Sequence, residues 1–398
     1  MNKKIIPACF LLLFGGWLLS GCSKPAAPSI AAEVQTLEMP AAGGEVSVSV
    51  SANKAWTVTG NEWITATKAD DHTLTLQVAP NRQTARSATI VCVAETAQAA
   101  ITVWQREAVT PAQSDSLALV EIYRAGGGDK WTHRWYLSQS LYQWAGVTTD
   151  SDGRVVGLNL SNNNLSGAFS EDLCLLDKLQ SCLLNDNRLT GAIPDGLNRL
   201  TQLQILDLSN NSFTGSIPSM EALIGLRMLD LSENSFEAAA MPAFLASLTQ
   251  LEDLRLKRAS LTGQLPAGLR SLTKLHTLDL SYNALTGEIP DWSALTSLRV
   301  LYIYHAGLSG SIPAFIASLP KLEWLALDNN RLTGAIPNGS YPALAQLWLN
   351  NNNLTGAIPA AIKANPSWSA FHVCSGNSLT DCSGDSANAK KLSRKTYQ

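Results

Sequence analysis

The sequence predicts two successive folds: a β-sandwich, then an α/β solenoid whose parallel strands form a concave sheet. Two observations carry this. Residues 33–107 alternate apolar and polar side chains with period two, in short runs rich in Val, Thr and Ile, as half-buried strands do. From Val155 onward one apolar pattern returns nine times, at intervals of 22 to 25 residues, and such a period means a stacked-repeat architecture. With 398 residues, 45% of them hydrophobic and 15% charged, the chain is long enough for separate cores. A formal net charge of -3 supplies no broad basic field, which argues against nucleic acid as a partner.

The first residues, "MNKKIIPACFLLLFGGWLLSGC", join a basic start to an apolar run ending in small residues, the layout of an export signal over 1–21. No other apolar stretch reaches the roughly 20 residues that a membrane helix needs. Leu19-Ser20-Gly21-Cys22 resembles the bacterial lipobox, which implies lipidation of Cys22 and a membrane anchor made of acyl chains only, each buried methylene adding roughly 0.8 kcal/mol. Ser23 after it resembles lipoproteins sorted to the outer membrane, facing either the periplasm or the cell surface. Residues 22–32 read as the lipidated cysteine and a Pro/Ala/Ser linker.

Over 33–107 the runs "EVSVSVSA", "KAWTVTG", "TLTLQVA", "SATIVCVAE" and "AAITVWQRE" predict strands burying Val46, Val48, Val50, Trp56, Ile64, Leu74, Leu76, Ile90 and Ile101. "GGEVSVSVSANKAWTV", "EWITA", "APNRQTARSATIVC" and "ITVWQ" follow in order the landmarks of the BACON domain, which this segment resembles throughout. That resemblance implies an immunoglobulin-like sandwich and a carbohydrate-binding role, for which Trp56 and Trp63 are the candidate stacking residues; because a Trp in an alternating strand is more often core, a spacer or presentation module is the stronger reading.

Residues 108–114 read as a second linker, and 155–367 hold nine repeats of the form L..L.L..N.LTG.IP..L..L. Within each repeat the first, fourth and sixth places point inward from a short strand, the second, third, fifth, seventh and eighth outward, and Asn at the ninth place can satisfy backbone groups where the chain leaves the strand. The segments "NRLTGAIP" and "NNLTGAIP" resemble the plant-type leucine-rich repeat, which implies a curved solenoid with a binding face on its concave sheet. Residues 115–154, with an amphipathic start and Trp131, Trp135 and Trp144, resemble the N-terminal cap of such proteins, but Gln143 stands where that family often has cysteine. Residues 368–398 form the C-terminal cap and tail. As a whole the chain resembles a Bacteroidetes-type lipoprotein joining a BACON domain to plant-type repeats.

Cysteines in an exported chain permit disulfides, and Cys374 with Cys382, in one terminal loop, is the closest fit; Cys92 and Cys182 occupy apolar strand places. Asp115-Ser-Leu and Asp385-Ser-Ala match a short O-glycosylation pattern of exported Bacteroidetes proteins. The chain carries no HExxH, phosphate loop, CxxC or GxSxG, and its five histidines have no metal-ligand spacing. No catalytic residue, cofactor or metal is therefore predicted. Asp207, Asp230 and Asp279 read as a solvated ladder that recurs because the repeat does.

One repeat asks for an explanation: "LRVLYIYHA" stands where others read "LQILDLSNN". Repeats five to nine place Arg255, Lys257, Arg258, Tyr282, Tyr302, Tyr304, His305, Trp324 and Trp348 at outward positions. Strands roughly 4.8 Å apart would merge these into one patch, built from residue types that dominate binding interfaces. The predicted function is recognition, without catalysis, of a protein or glycoprotein ligand, host-derived in one version; glycan or mucin binding by the patch or the sandwich is the alternative.

Overall fold

A computed structural model describes residues 26–81 and 84–382. The leader, Cys22 and Asp385-Ser-Ala lie outside the described residues. The chain divides into two compact units, Met1–Val109 and Thr110–Gln398.

The first unit holds two four-stranded sheets. One runs Ile30–Ala32, Gly44–Ala52, Thr73–Val78, Ile64–Lys68, all antiparallel. The other runs Thr36–Met39, Ala97–Gln105, Arg86–Ala94, Thr57–Thr59, with its first pair parallel. Val48, Val50, Trp56, Ile64, Leu74, Leu76, Ile90 and Ile101 are buried together, joined by Met39, Val78, Cys92 and Val103, while Val46 is only half-buried. Ile30–Ala32 corrects the linker reading of 22–32: these residues form an edge strand on Val50 to Ala52. The Asn53 side chain ties the segment down, accepting from the Ser29 N–H and donating to the Ala27 carbonyl; that partner lies more than twenty residues away, so composition carried no trace of it. The Gln105 amide is buried, donates to the Ala79 carbonyl at 2.9 Å and accepts from Arg86. Gly43, at φ +73, sits where a Cβ would meet the Val78 carbonyl oxygen at 2.2 Å.

The second unit begins at Thr110, the third residue of its expected linker. Thr110 caps the helix Pro111–Ala125 in a reciprocal box with Gln113, and Pro at the first helical position loses no bond. Asp115, 1% exposed, receives the Arg154 guanidinium at 2.9 Å and the Val155 N–H at 2.8 Å. Its burial leaves the 115–117 glycosylation pattern without an exposed aspartate. Trp131, Trp135 and Trp144 pack in series beside Tyr123, neighbouring centroids 4.9 to 5.8 Å apart, and close the first end of the repeat core.

A ten-stranded sheet follows: Val147–Thr149 antiparallel to Val155–Asn159, then eight more strands in parallel, ending at Gln346–Trp348. The inward leucines form a continuous core running from the cap helix to Phe371 and Val373. Ninth-place asparagines stitch successive turns. Asn211, for example, donates to the Leu184 and Leu208 carbonyls and accepts from the Leu189 N–H. The turn glycine of the LTG-type segment takes φ between +72° and +79° in six repeats (Gly191, Gly215, Gly263, Gly287, Gly334 and Gly356), a region that a Cβ disfavours. A Cys374–Cys382 disulfide, Cα atoms 5.7 Å apart, closes the last described loop.

Candidate ligand-binding face

Each repeat contributes five outward places, and parallel pairing in register lines up equal places in rows. Asp207 pairs with Asp230, Asp230 with Arg255, Arg255 with Asp279, and Asp279 with Tyr302. The fifth-place row therefore reads Asp207, Asp230, Arg255, Asp279, Tyr302, Ala326, Trp348.

This acidic ladder is not a solvated face. Asp230 is 7% exposed, and burial pushes its carboxyl up to about 6, against which bonds from Ser232 pull only partly. Asp253 and Asp279 are raised for the same reason. Neighbouring strands and rows exclude water from any one carboxylate, and the desolvated charged form is disfavoured. Arg255 lies between them, its guanidinium held by both oxygens of Asp253 at 3.0 and 2.8 Å.

Tyr304 also departs from expectation. Predicted at an outward seventh place, it is buried, because Tyr282, Tyr302 and His305 close around it with ring centroids at 5.2, 6.2 and 6.1 Å. Tyr302, Trp324 and Trp348 are half-buried. Trp324 lies one strand from Val300 and Gln346 in the third-place row, and Trp348 stacks on His372 at 6.4 Å. The predicted residues thus form one connected group, Lys257 through His305, while Trp324 and Trp348 sit one and two strands further on.

The eighth place holds the least expected geometry. In all nine repeats this residue has positive φ, from 49° to 57°, where the chain turns out of the strand. Asn and Asp tolerate that conformation; bulkier L residues are disfavoured by roughly 1–2 kcal/mol. Five repeats comply, with Asn162, Asp186, Asn210, Asn329 and Asn351, whereas four consecutive ones carry Glu233, Arg258, Tyr282 and His305. These four form a stack. Glu233 receives Arg258 and Lys257, both at 2.9 Å. The Arg258 guanidinium lies 4.4 Å from the Tyr282 centroid, and the His305 ring lies 4.8 Å from it at an interplanar angle of 6°. Sequence reading missed Glu233 and His372. For Glu233 the signal was present, since it is the first eighth-place residue to depart from Asn or Asp.

In the first unit, both tryptophans singled out for sugar stacking are already engaged within the fold. Trp56 is buried with Lys68 4.9 Å from its ring, and the Arg86 guanidinium covers Trp63 at 4.3 Å. The exposed indole is Trp104. Among the described residues no group of three or more His, Cys, Asp or Glu could hold a metal ion.

The family described as Leucine Rich Repeat matches at residues 154–176, 202–220, 274–294 and 343–365. The second unit carries leucine-rich repeats. Among solved structures, the chain is similar to a TDR receptor, at 33% identity over 54% of this chain and 38% of that chain, TM-score 0.50. It is also similar to the ectodomain of the Arabidopsis receptor kinase HAESA, solved with an N-terminally extended IDA peptide hormone, at 26% identity over 68% of this chain and 54% of that one, TM-score 0.51. A plant ice-binding protein shares the fold, at 24% identity over 67% of this chain and 95% of that one, TM-score 0.55. The chain thus spans 38% and 54% of the two receptor chains. No curated protein matches.

Proposed function

We propose that this protein is a non-enzymatic recognition protein whose leucine-rich repeats bind a peptide or protein segment on the concave face of repeats four to nine. The observation that carries this is the change of side chains along one regular sheet. The fifth, seventh and eighth places of the first three repeats are mostly small and polar, while repeats five to nine bring Lys257, Arg258, Tyr282, Tyr302, His305, Trp324 and Trp348 to the same places and the third. The peptide-bound HAESA ectodomain supports a polypeptide as the ligand class. In this reading Cys22 carries the lipid, the protein stands on the outer membrane, and residues 33–107 form a BACON-type β-sandwich that presents the repeats.

The test is binding of the chain from Ser23 onward to glycoprotein targets before and after protease or glycosidase digestion, beside a Tyr302→Ala/Trp324→Ala/Trp348→Ala variant of unchanged circular dichroism. Binding should be lost with protease and fall at least about tenfold in the variant, as loss of interface aromatics does. Equal binding by both chains would move the site off this face. A second reading, glycan binding by the first unit, is favoured by Trp104, 52% exposed on a sheet face beside Ser87 and Glu38. It requires binding that survives protease and disappears in Trp104→Ala.

A further inference from the structure

The eighth-place stack spends backbone conformation on side chains that the fold does not use. The left-handed turn needs a residue with easy positive φ, and five repeats supply Asn or Asp. Glu233, Arg258, Tyr282 and His305 satisfy the same turn less well, and none fills the core: Arg258 and Glu233 keep 52% and 28% of their side-chain surface, Tyr282 is 36% exposed and His305 is exposed. Strained residues at one place of four adjacent repeats, three of them exposed and stacked on one another, mark a site.

The arrangement also says which chemistry it accepts. Arg258 and His305 come from opposite sides of repeat six, so one covers each face of the Tyr282 ring, and Tyr304 meets it edge-on at 5.2 Å. No open face remains for stacking on a sugar ring. What the stack presents outward is its rim, where Lys257, Arg258 and His305 lie around the Tyr282 ring. One carboxylate, Glu233, is shared by Lys257 and Arg258. Arg255, the remaining nearby cation, is committed to Asp253. A planar guanidinium fixed by stacking is pre-organised for a carboxylate, and little rotamer freedom is left to lose on binding.

We propose that Arg258, Tyr282 and His305 form a preassembled anchor for an acidic side chain of the bound peptide, its carboxylate received at the rim of the stack by Arg258 and His305. This rests on the concave-face reading above and specifies the ligand chemistry within it.

The test uses phage-displayed random linear peptides selected on the chain from Ser23 onward, with the Arg258→Asn/Tyr282→Asn/His305→Asn variant and the Trp324→Ala/Trp348→Ala variant as comparators. Selected peptides should carry a required Asp or Glu. Its change to Asn or Gln should weaken binding to the unaltered chain about tenfold, the effect of one lost charge-assisted bond, and leave binding to the Asn variant nearly unchanged. That variant should melt no lower than the parent, since Asn suits the turn better. If it unfolds, Arg258→Gln and His305→Gln repeat the comparison with longer side chains. Peptides that depend on Trp324 and Trp348 but not on the stack would overturn the anchor and leave the concave-face reading standing, whereas absence of any selected peptide would overturn both. Stack-dependent peptides indifferent to loss of their acid would overturn the carboxylate assignment.

Discussion

Asp230 shows what a repeat does to a single side chain. As an isolated surface aspartate it would ionise near its ordinary value, 3.8; between strands it is pushed up to about 6 by desolvation. The folded state therefore holds the proton more tightly than the unfolded chain, and stability falls as pH rises from about 4 to about 6, the loss being complete above that. Asp230→Asn keeps an acceptor for the Ser232 N–H and removes the charge. It should raise stability at pH 7.5 by roughly 1–3 kcal/mol and change little at pH 4, read as the difference in thermal midpoint between the two pH values. An equal effect at both would show that the carboxyl is not desolvated. The same surroundings explain Tyr304: its place number says outward, but three aromatic neighbours cover it.

At the scale of the element, the asparagine ladder accounts for where the unusual repeats can stand. From the second repeat onward each ninth-place asparagine amide donates to the sixth-place carbonyls of its own and the preceding repeat, so the Leu184, Leu208 and Leu327 carbonyls each receive two such bonds. Repeats five and seven have Ala259 and Ala306 instead, and because asparagine flanks each of them, the Leu231, Leu256, Leu280 and Ile303 carbonyls still receive one. Alternation makes the loss tolerable. Asn283 is the single asparagine between the two alanines, and its removal would strip this last donor from Leu256 and Leu280 together. Leaving a buried polar group unsatisfied costs about 1–3 kcal/mol, so Asn283→Ala should destabilise by at least about 2 kcal/mol more than Asn211→Ala, whose carbonyl partners each keep a second donor. Denaturant titration of the two variants decides it; equal losses would mean that the ladder is not cooperative in this way.

For the whole molecule, two separately packed cores imply two melting transitions. Calorimetry of the chain should resolve them, with Asn283→Ala lowering only the larger, because unfolding enthalpy scales with residue number and the repeat unit is the longer of the two. A single transition that moves as one in the variant would instead mean that the units unfold together.

The repeat period, the inward leucines, the ladder and the aromatic drift of repeats five to nine were all legible in the sequence, because each is a local pattern that burial imposes again every 22 to 25 residues. Even the eighth-place row could be read by aligning repeats and noticing where Asn and Asp give way. Only the tertiary structure decided that Ile30–Ala32 is a strand, that Tyr304 and Asp230 are closed over, that Trp63 is covered while Trp104 is bare, and that Glu233, Arg258, Tyr282 and His305 touch. Most of these depend on a partner about twenty residues or more away in the chain but close in space, and water exclusion there is set by the packed neighbours on every side, which no one segment encodes.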